Sequence, residues 1–381
     1  MIAALAAHYT RFRVSERLLL TGHSHQAWPD VAFDGARECL DDAAELVDTK
    51  WERAFAKADQ VRQGYRDLIG DPRAEIALGA STHELVLRFL SAVDLRRRLI
   101  TTDGEFHTLR RQLGRLAETG MEVVRVPARP ADTLAARLAA AIDSRTAAVL
   151  VSAVLFEDAR IVPGLDELSD ACADRSVELL IDAYHALGTV PFTAPPASWV
   201  VGGGYKYLQL GEGNCFLRIP EHAWDWRPVI TGWYAEFSTL GRDAGRPARI
   251  PYGTGAEAFA GSTYDPTSHY RCARVFDFFA EQGLTPERLR GSYQAQVAVL
   301  AGAFDRISSP VITRDRDTPL QHLGGFLALR TPRAAELQAR LFERGVFTDH
   351  RGEFLRFGPA PYLSDEQLES SMDALAAVLA S

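Results

Sequence analysis

Lysine is nearly absent from this chain: of 42 basic residues among 381, only Lys50, Lys57 and Lys206 are lysines. Cysteine is sparse too. Cys39, Cys172, Cys215 and Cys272 are widely separated and form no CxxC or Cys/His cluster, which excludes a disulfide framework, structural zinc and any other metal site of ligand spacing. No apolar run approaches the roughly 18 residues of a membrane span, and the opening MIAALAAHYTRFRVSER turns polar before a signal-peptide core develops. A cytoplasmic protein with no membrane partner is expected. Basic charge is not in excess: the formal net charge is -8 and the pI near 5.7, which argues against nucleic acid as a partner, since counterion release needs a dense cationic surface. Glycine and proline are spread rather than gathered in tracts, and 47% of residues are hydrophobic, so a large packed core is affordable and disorder is excluded as the dominant state.

What is present is an alternation. From about residue 57, helical-period stretches alternate with short apolar runs that read as buried parallel strands. Strands are expected at Glu75 to Leu78, Arg98 to Thr102, Glu122 to Val126, Ala147 to Phe156, Glu178 to Asp182 and Trp199 to Gly203. Helices are expected between them, at His83 to Val93, Thr108 to Glu118, Asp132 to Ile142 and Asp166 to Asp174. The pattern predicts an α/β fold with a mainly parallel sheet covered by helices on both faces, and ligands at the carboxyl ends of the strands. A long Gly/Pro/Arg-rich stretch, GWYAEFSTLGRDAGRPARIPYGTG, then interrupts the alternation. Beyond it a helix (Ser268 to Gln282), strands (Gly324 to Leu329, Phe354 to Phe357) and helices (Ala334 to Glu343, Asp365 to Leu379) suggest a second, smaller α/β unit.

Two segments carry chemistry. In VVGGGYKYLQLGEGN an apolar strand runs through three glycines into Tyr205, Lys206 and Tyr207. A solvated loop lysine is the ordinary reading, but arginine has replaced lysine almost everywhere else, and only lysine can form an imine once burial lowers its pKa. In ELLIDAYHALGTVPF a strand delivers Asp182 at its carboxyl end, with His185 three residues on. Such a carboxylate can be a helix cap, or it can hold a pyridinium nitrogen protonated so that the ring acts as an electron sink.

These segments, with four others in the same order, resemble the fold-type I, class V aminotransferase superfamily, and within it kynureninases. DAYH resembles that family's Asp-x-x-His, which implies Asp182 at the pyridine nitrogen of pyridoxal 5'-phosphate (PLP) with His185 beside it. GYKYL resembles its Tyr-Lys-Tyr-Leu, implying that Lys206 carries the cofactor as a Schiff base and that Tyr205 reaches its phosphate. EFHT resembles Asn-Phe-Pro-Thr and implies Phe106 stacked on the ring; ALGAST implies a phosphate cradle at Ser81 and Thr82. GWYAEFS and FAGST imply that Trp233, Ser262 and Thr263 serve the phosphate of a neighbouring subunit in a homodimer, and LRFGPAPY implies that Arg356 clamps the substrate carboxylate. Read singly, Ser81 and Thr82 could be a helix cap, Phe106 core, Trp233 a loop anchor and Arg356 half of a salt bridge. The resemblance spans residues 20 to 362 and implies a large PLP-binding domain over 31–255, with 1–30 and 256–381 forming a small domain that closes over the site.

The departures fall where a substrate would be read. The family's Gly-Asn-Ser-Leu-Gly stands here as Gly22, His23, Ser24, His25 and Gln26, placing two imidazoles, His23 and His25, toward the substrate. An acidic residue expected three after Phe106 is Leu109, and FEDARIVPG replaces an Arg/Lys-Thr-Gly segment. The expected activity is hydrolysis of the side-chain carbon–carbon bond of kynurenine or a related amino acid. An aminotransferase, or a lyase of cysteine desulfurase or β-elimination type, uses the same cofactor residues and is the alternative; Cys272, inside an expected helix, suits a mobile desulfurase nucleophile poorly. A non-catalytic scaffold has no need for Asp182, Lys206 and Arg356 together.

Overall fold

The computed structural model describes residues 5–95, 97–240 and 249–380; the centre of the long Gly/Pro/Arg-rich stretch, residues 241–248, lies outside the described residues. In chain order the strands are β1 (Leu18–Leu19), β2 (Glu75–Gly79), β3 (Arg98–Thr102), β4 (Val123–Val126), β5 (Thr146–Ser152), β6 (Glu178–Asp182), β7 (Trp199–Gly202), β8 (Cys215–Ile219), β9 (Thr313–Arg314), β10 (Leu327–Arg330), β11 (Val346–Phe347), β12 (Asp349–Arg351) and β13 (Phe354–Phe357). The α-helices are α1 (Val31–Leu46), α2 (Lys50–Leu68), α3 (Thr82–Ala92), α4 (His107–Glu118), α5 (Leu134–Ala141), α6 (Leu165–Ala173), α7 (Thr267–Glu281), α8 (Pro286–Asp305), α9 (Ala334–Glu343) and α10 (Asp365–Ala380).

Seven strands form one sheet in the order β2-β8-β7-β6-β5-β3-β4. Its neighbours pair in parallel except around β8, which runs against both β2 and β7. Every position of β5, β7 and β8 is buried, because helices cover both faces; that is why these strands read as unbroken apolar runs rather than alternating ones. The expected strand from Ala147 to Phe156 ends earlier, at Ser152. Its apolar tail leaves the sheet and turns back on itself, with Leu155 N donating to Arg160 O, so hydrophobicity there reflects burial in a loop under the second sheet rather than strand pairing. Sequence alternation did not anticipate β8, since a five-residue strand interrupted by Arg218 and returning antiparallel beside its predecessor needs no crossover helix to announce it.

A second sheet, in the order β12-β13-β10-β9, is antiparallel, and its register sets Asp349 opposite Arg356. The N-terminal segment joins this half: β1 pairs in parallel with β11. Helices α1 and α2 pack along α7. Among the described residues no helix is long and apolar enough to cross a membrane.

Packing fixes α3 against the main sheet. Trp199 on β7 is fully buried, meets Phe89 of α3 edge-on at 5.2 Å and Phe259 at 5.1 Å, and satisfies its indole N–H on Glu178 Oε2 at 2.7 Å. Truncating such a residue to alanine costs about 3–5 kcal/mol. The consequence is positional: the start of α3, with Ser81 and Thr82, is held beside the carboxyl ends of β5, β6 and β7.

Candidate active site

Those strand ends surround a cavity of about 260 Å³ lined by Ser81, Thr82, Phe106, Ser152, Asp182, Tyr184, His185, Tyr205 and Lys206, among others. Residues from five places in the chain therefore meet around one cavity. Ser81 is extended (φ -148°, ψ 155°) and caps α3, its hydroxyl accepting from Glu84 N at 3.4 Å. Capping and anion binding are compatible readings of this helix start, because the first N–H groups of a helix point outward.

The three glycines before Lys206 are required by close packing. A Cβ on Gly203 would lie 2.6 Å from Cys215 Sγ and 2.7 Å from the Tyr184 hydroxyl; one on Gly204 would lie 2.6 Å from Asn214 Oδ1. The chain thus threads past the end of β8 and delivers Lys206 inward, 5% exposed. Its Nζ lies 2.7 Å from His185 Nε2, 5.0 Å from the Phe106 ring centre and 4.8 Å from that of Tyr184. Burial lowers the lysine pKa to about 7, with Arg356 and Arg351 pushing the same way and Asp182 opposing them. Lys206 is therefore a substantially neutral amine near neutral pH.

Asp182 closes β6 and accepts from Tyr184 N at 2.9 Å through Oδ1. Burial raises its pKa, against the Tyr184 hydrogen bond and the Lys206 charge. His185 is held neutral, its pKa well below the ordinary value through burial, then through the charges of Lys206 and Arg356. With Nε2 on Lys206, its Nδ1 is buried without a partner. Tyr205 stands at the rim with its pKa raised by burial to about 12, stacked on the exposed ring of His25 at 4.9 Å.

Other expected residues lie elsewhere. Arg356 does not line the cavity and is only 2% exposed. Its Nε and Nη2 form a fork with Asp349 at 2.8 and 2.5 Å, and its Nη1 donates to Phe156 O. The fork expected to clamp a substrate carboxylate is here bonded to the chain's own Asp349. His23, also expected to face the substrate, is fully buried beneath Asp349, bonded through Nε2 at 2.7 Å and packed on Phe326 at 4.6 Å. Burial lowers its pKa to about 4. Trp233 is 42% exposed and donates its indole N–H to Thr263 Oγ1 at 3.3 Å. Ser262 and Thr263 line an adjoining cavity of about 590 Å³ that meets the first at Ala80, Glu212 and Gly213. Within one chain, then, Trp233, Ser262 and Thr263 stand apart from Lys206.

Sequence reasoning missed Asp349, Ser152, Tyr184 and the part played by Glu105. A buried carboxylate was visible in TTDGEF only as one acidic residue among many; its engagement with β5 requires the sheet order. Among the described residues no group of three or more His, Cys, Asp or Glu side chains is placed to hold a metal ion. All four cysteines are free and buried.

No protein-family model matches the chain. It is 21% identical over 349 residues to an uncharacterised aminotransferase, YcbU, of Bacillus subtilis strain 168, covering 86% of each chain. Among solved structures it superimposes on the cystine C–S lyase C-DES in complex with cysteine persulfide, its reaction product, with a TM-score of 0.85 at 17% identity over 95% of this chain and 98% of that one. A lysine mutant of C-DES with glycine covalently linked to its PLP cofactor gives a TM-score of 0.86 at 16% identity, covering 97% and 98%. The cysteine desulfurase CsdA of Escherichia coli gives 0.82 at 13% identity, covering 100% and 98%. With a seven-stranded, mostly parallel sheet and near-complete overlap with these structures, the chain has the α/β fold of the fold-type I PLP-dependent transferases.

Proposed function

We propose that this chain is a PLP-dependent enzyme that removes a substituent from the β-carbon of an amino acid, as a lyase of the class V type. The observation that carries this reading is Lys206: a buried, largely neutral amine on His185, in one cavity with a strand-end carboxylate, an aromatic face and a helix N-terminus. The residues fit the cofactor. Lys206 would carry it, Asp182 would face its ring nitrogen, Phe106 its ring face, and Ser81 and Thr82 its phosphate.

Bound there, PLP supplies a sink for the electron pair left when the α-proton departs. Lys206 Nζ is the base that takes this proton, and His185 Nε2, 2.7 Å away, holds the amine in place and shares its proton. Asp182 would hold the ring nitrogen of the bound group in its protonated form. Tyr205 and His25 at the rim are placed to meet the departing substituent.

A β-eliminating lyase is preferred to a persulfide-forming desulfurase because no cysteine is equipped as a nucleophile. Cys215, which lines the cavity, and Cys272, inside α7, are buried, and burial raises the pKa of both. The full-length likeness to a cystine C–S lyase supports the same choice. Kynureninase-type hydrolysis is the second reading, favoured by the DAYH and RFGPAPY segments. It is weakened by Leu109, a core residue where that family's acidic residue is expected.

A homodimer belongs to this proposal. Val229, Ile230, Trp233, Phe237, Leu240 and Ile250 form exposed apolar surface around the long loop, and the hydroxyls of Ser262 and Thr263 are accessible to a second copy. The deciding experiment incubates PLP-loaded protein with cystine, with other β-substituted amino acids and with kynurenine. Pyruvate and ammonia from the β-substituted substrates are expected. Alanine with an anthranilate-type product would replace this reading by hydrolysis, and stoichiometric pyridoxamine phosphate would replace it by transamination.

A further inference from the structure

Behind the cavity floor lies a carboxyl group that the mechanism above does not use. Glu105, between β3 and α4, is 1% exposed. Its Oε1 accepts from the Thr102 hydroxyl at 2.6 Å and from Ser152 N at 3.2 Å, and its Oε2 accepts from the Ser152 hydroxyl at 2.6 Å. Three donors, all uncharged, converge on one side chain, and the ionised carboxylate accepts all three with no proton of its own to place. Ser152 is the last residue of β5 and lines the cavity; the parallel register sets it directly beside Asp182 on β6.

A serine hydroxyl has a single proton. With Glu105 ionised it is spent there, so the Ser152 oxygen turns only lone pairs toward the cavity. Beside it, Asp182 also offers an acceptor. The floor is consequently a pair of acceptors backed by a second buried carboxyl, an arrangement that favours a ligand edge carrying N–H and a positive charge, and disfavours one carrying a lone pair.

We propose that Glu105 is a positioning residue that, through the Ser152 hydroxyl and its own charge, makes the cavity floor selective for a protonated heteroaromatic nitrogen. This rests on the PLP reading above, and deepens it by assigning the protonation of the ring to three residues, Asp182, Ser152 and Glu105, instead of one. Burial raises the Glu105 pKa to about 7, the Ser152 and Thr102 bonds opposing the rise and Asp182 adding to it, so the carboxylate that the arrangement requires prevails above that pH. Two carboxyls so close resist joint ionisation unless a cation lies against them.

The test loads PLP carrying 15N in its ring into the wild-type chain, Glu105→Gln, Ser152→Ala and the double variant. It reads the ring-nitrogen chemical shift and the cofactor dissociation constant at pH 8. The wild type is expected to show a protonated nitrogen. Each single variant should move the signal toward the unprotonated position and weaken PLP binding about tenfold, the range expected for losing a hydrogen bond to a charged group. The double variant should be within about twofold of the worse single variant, since one residue acts largely through the other. A Glu105→Gln protein with an unchanged nitrogen signal, whatever its melting temperature, would overturn the inference, as would additive losses in the double variant. Absence of PLP binding by the wild type would overturn the cofactor reading and this inference together, which distinguishes the two failures.

Discussion

The neutral amine of Lys206 can be measured directly, because the chain has only two other lysines to confuse the result. With a pKa of about 7, roughly three-quarters of Lys206 is unprotonated at pH 7.5, whereas about 0.1% of a lysine with the ordinary value of 10.5 is. The neutral fraction is therefore several hundredfold larger. Cofactor-free protein is treated briefly with formaldehyde and cyanoborohydride across pH 6 to 10, and methylation is mapped by peptide mass spectrometry. Labelling of Lys206 should reach half its plateau near pH 7, with Lys50 and Lys57 on α2 as internal comparisons. Replacing His185 by Phe should move that midpoint and lower the plateau rate, since the 2.7 Å contact is lost. A Lys206 midpoint above about pH 9.5 would refute the reasoning, because desolvation would then not govern the amine. The linkage has a definite sign. A lysine whose folded pKa lies below its unfolded value binds fewer protons when folded, so its contribution to the stability of the cofactor-free protein rises with pH between about 7 and 10.5.

Further expectations follow from the same geometry. Lys206→Arg keeps a cation but cannot form an imine, and should abolish the visible absorbance of bound PLP as well as turnover. Asp182→Asn should retain the fold, shown by an unchanged circular dichroism spectrum, and reduce turnover by about two orders of magnitude or more. All four cysteines are buried and burial raises their pKa values, so none should react with Ellman's reagent in the native protein and all four should on unfolding; one fast native thiol would reopen the desulfurase reading. Asp349→Asn strips the Arg356 fork of its charge and should lower the unfolding free energy by about 2–4 kcal/mol in urea titrations, the cost of leaving a buried guanidinium unpaired.

How much of this was legible beforehand depends on how local the cause is. Strand β6, strand β13 and helix α9 begin and end where the apolar pattern places them, because a buried strand or an amphipathic helix is written in the spacing of its own residues. The chemistry of Lys206 was also local. The glycines before it and the strand that delivers it are contiguous in the chain, and Asp182 ends the preceding strand. By itself, then, the sequence determined the α/β class and singled out the lysine and carboxylate that the fold brings to one cavity. Tertiary structure decided the rest, through contacts between segments far apart. Arg356 and Asp349 are seven residues apart but face each other only because β12 and β13 pair in one particular register, and that pairing turns an expected substrate clamp into a filled one. His23 meets Asp349 across 326 residues. Glu105 reaches Ser152 only because β3 and β5 are neighbours in the sheet. A side chain's type can be read in one dimension, whereas what it is bonded to, and so whether it is free to act, is fixed by which strands lie side by side.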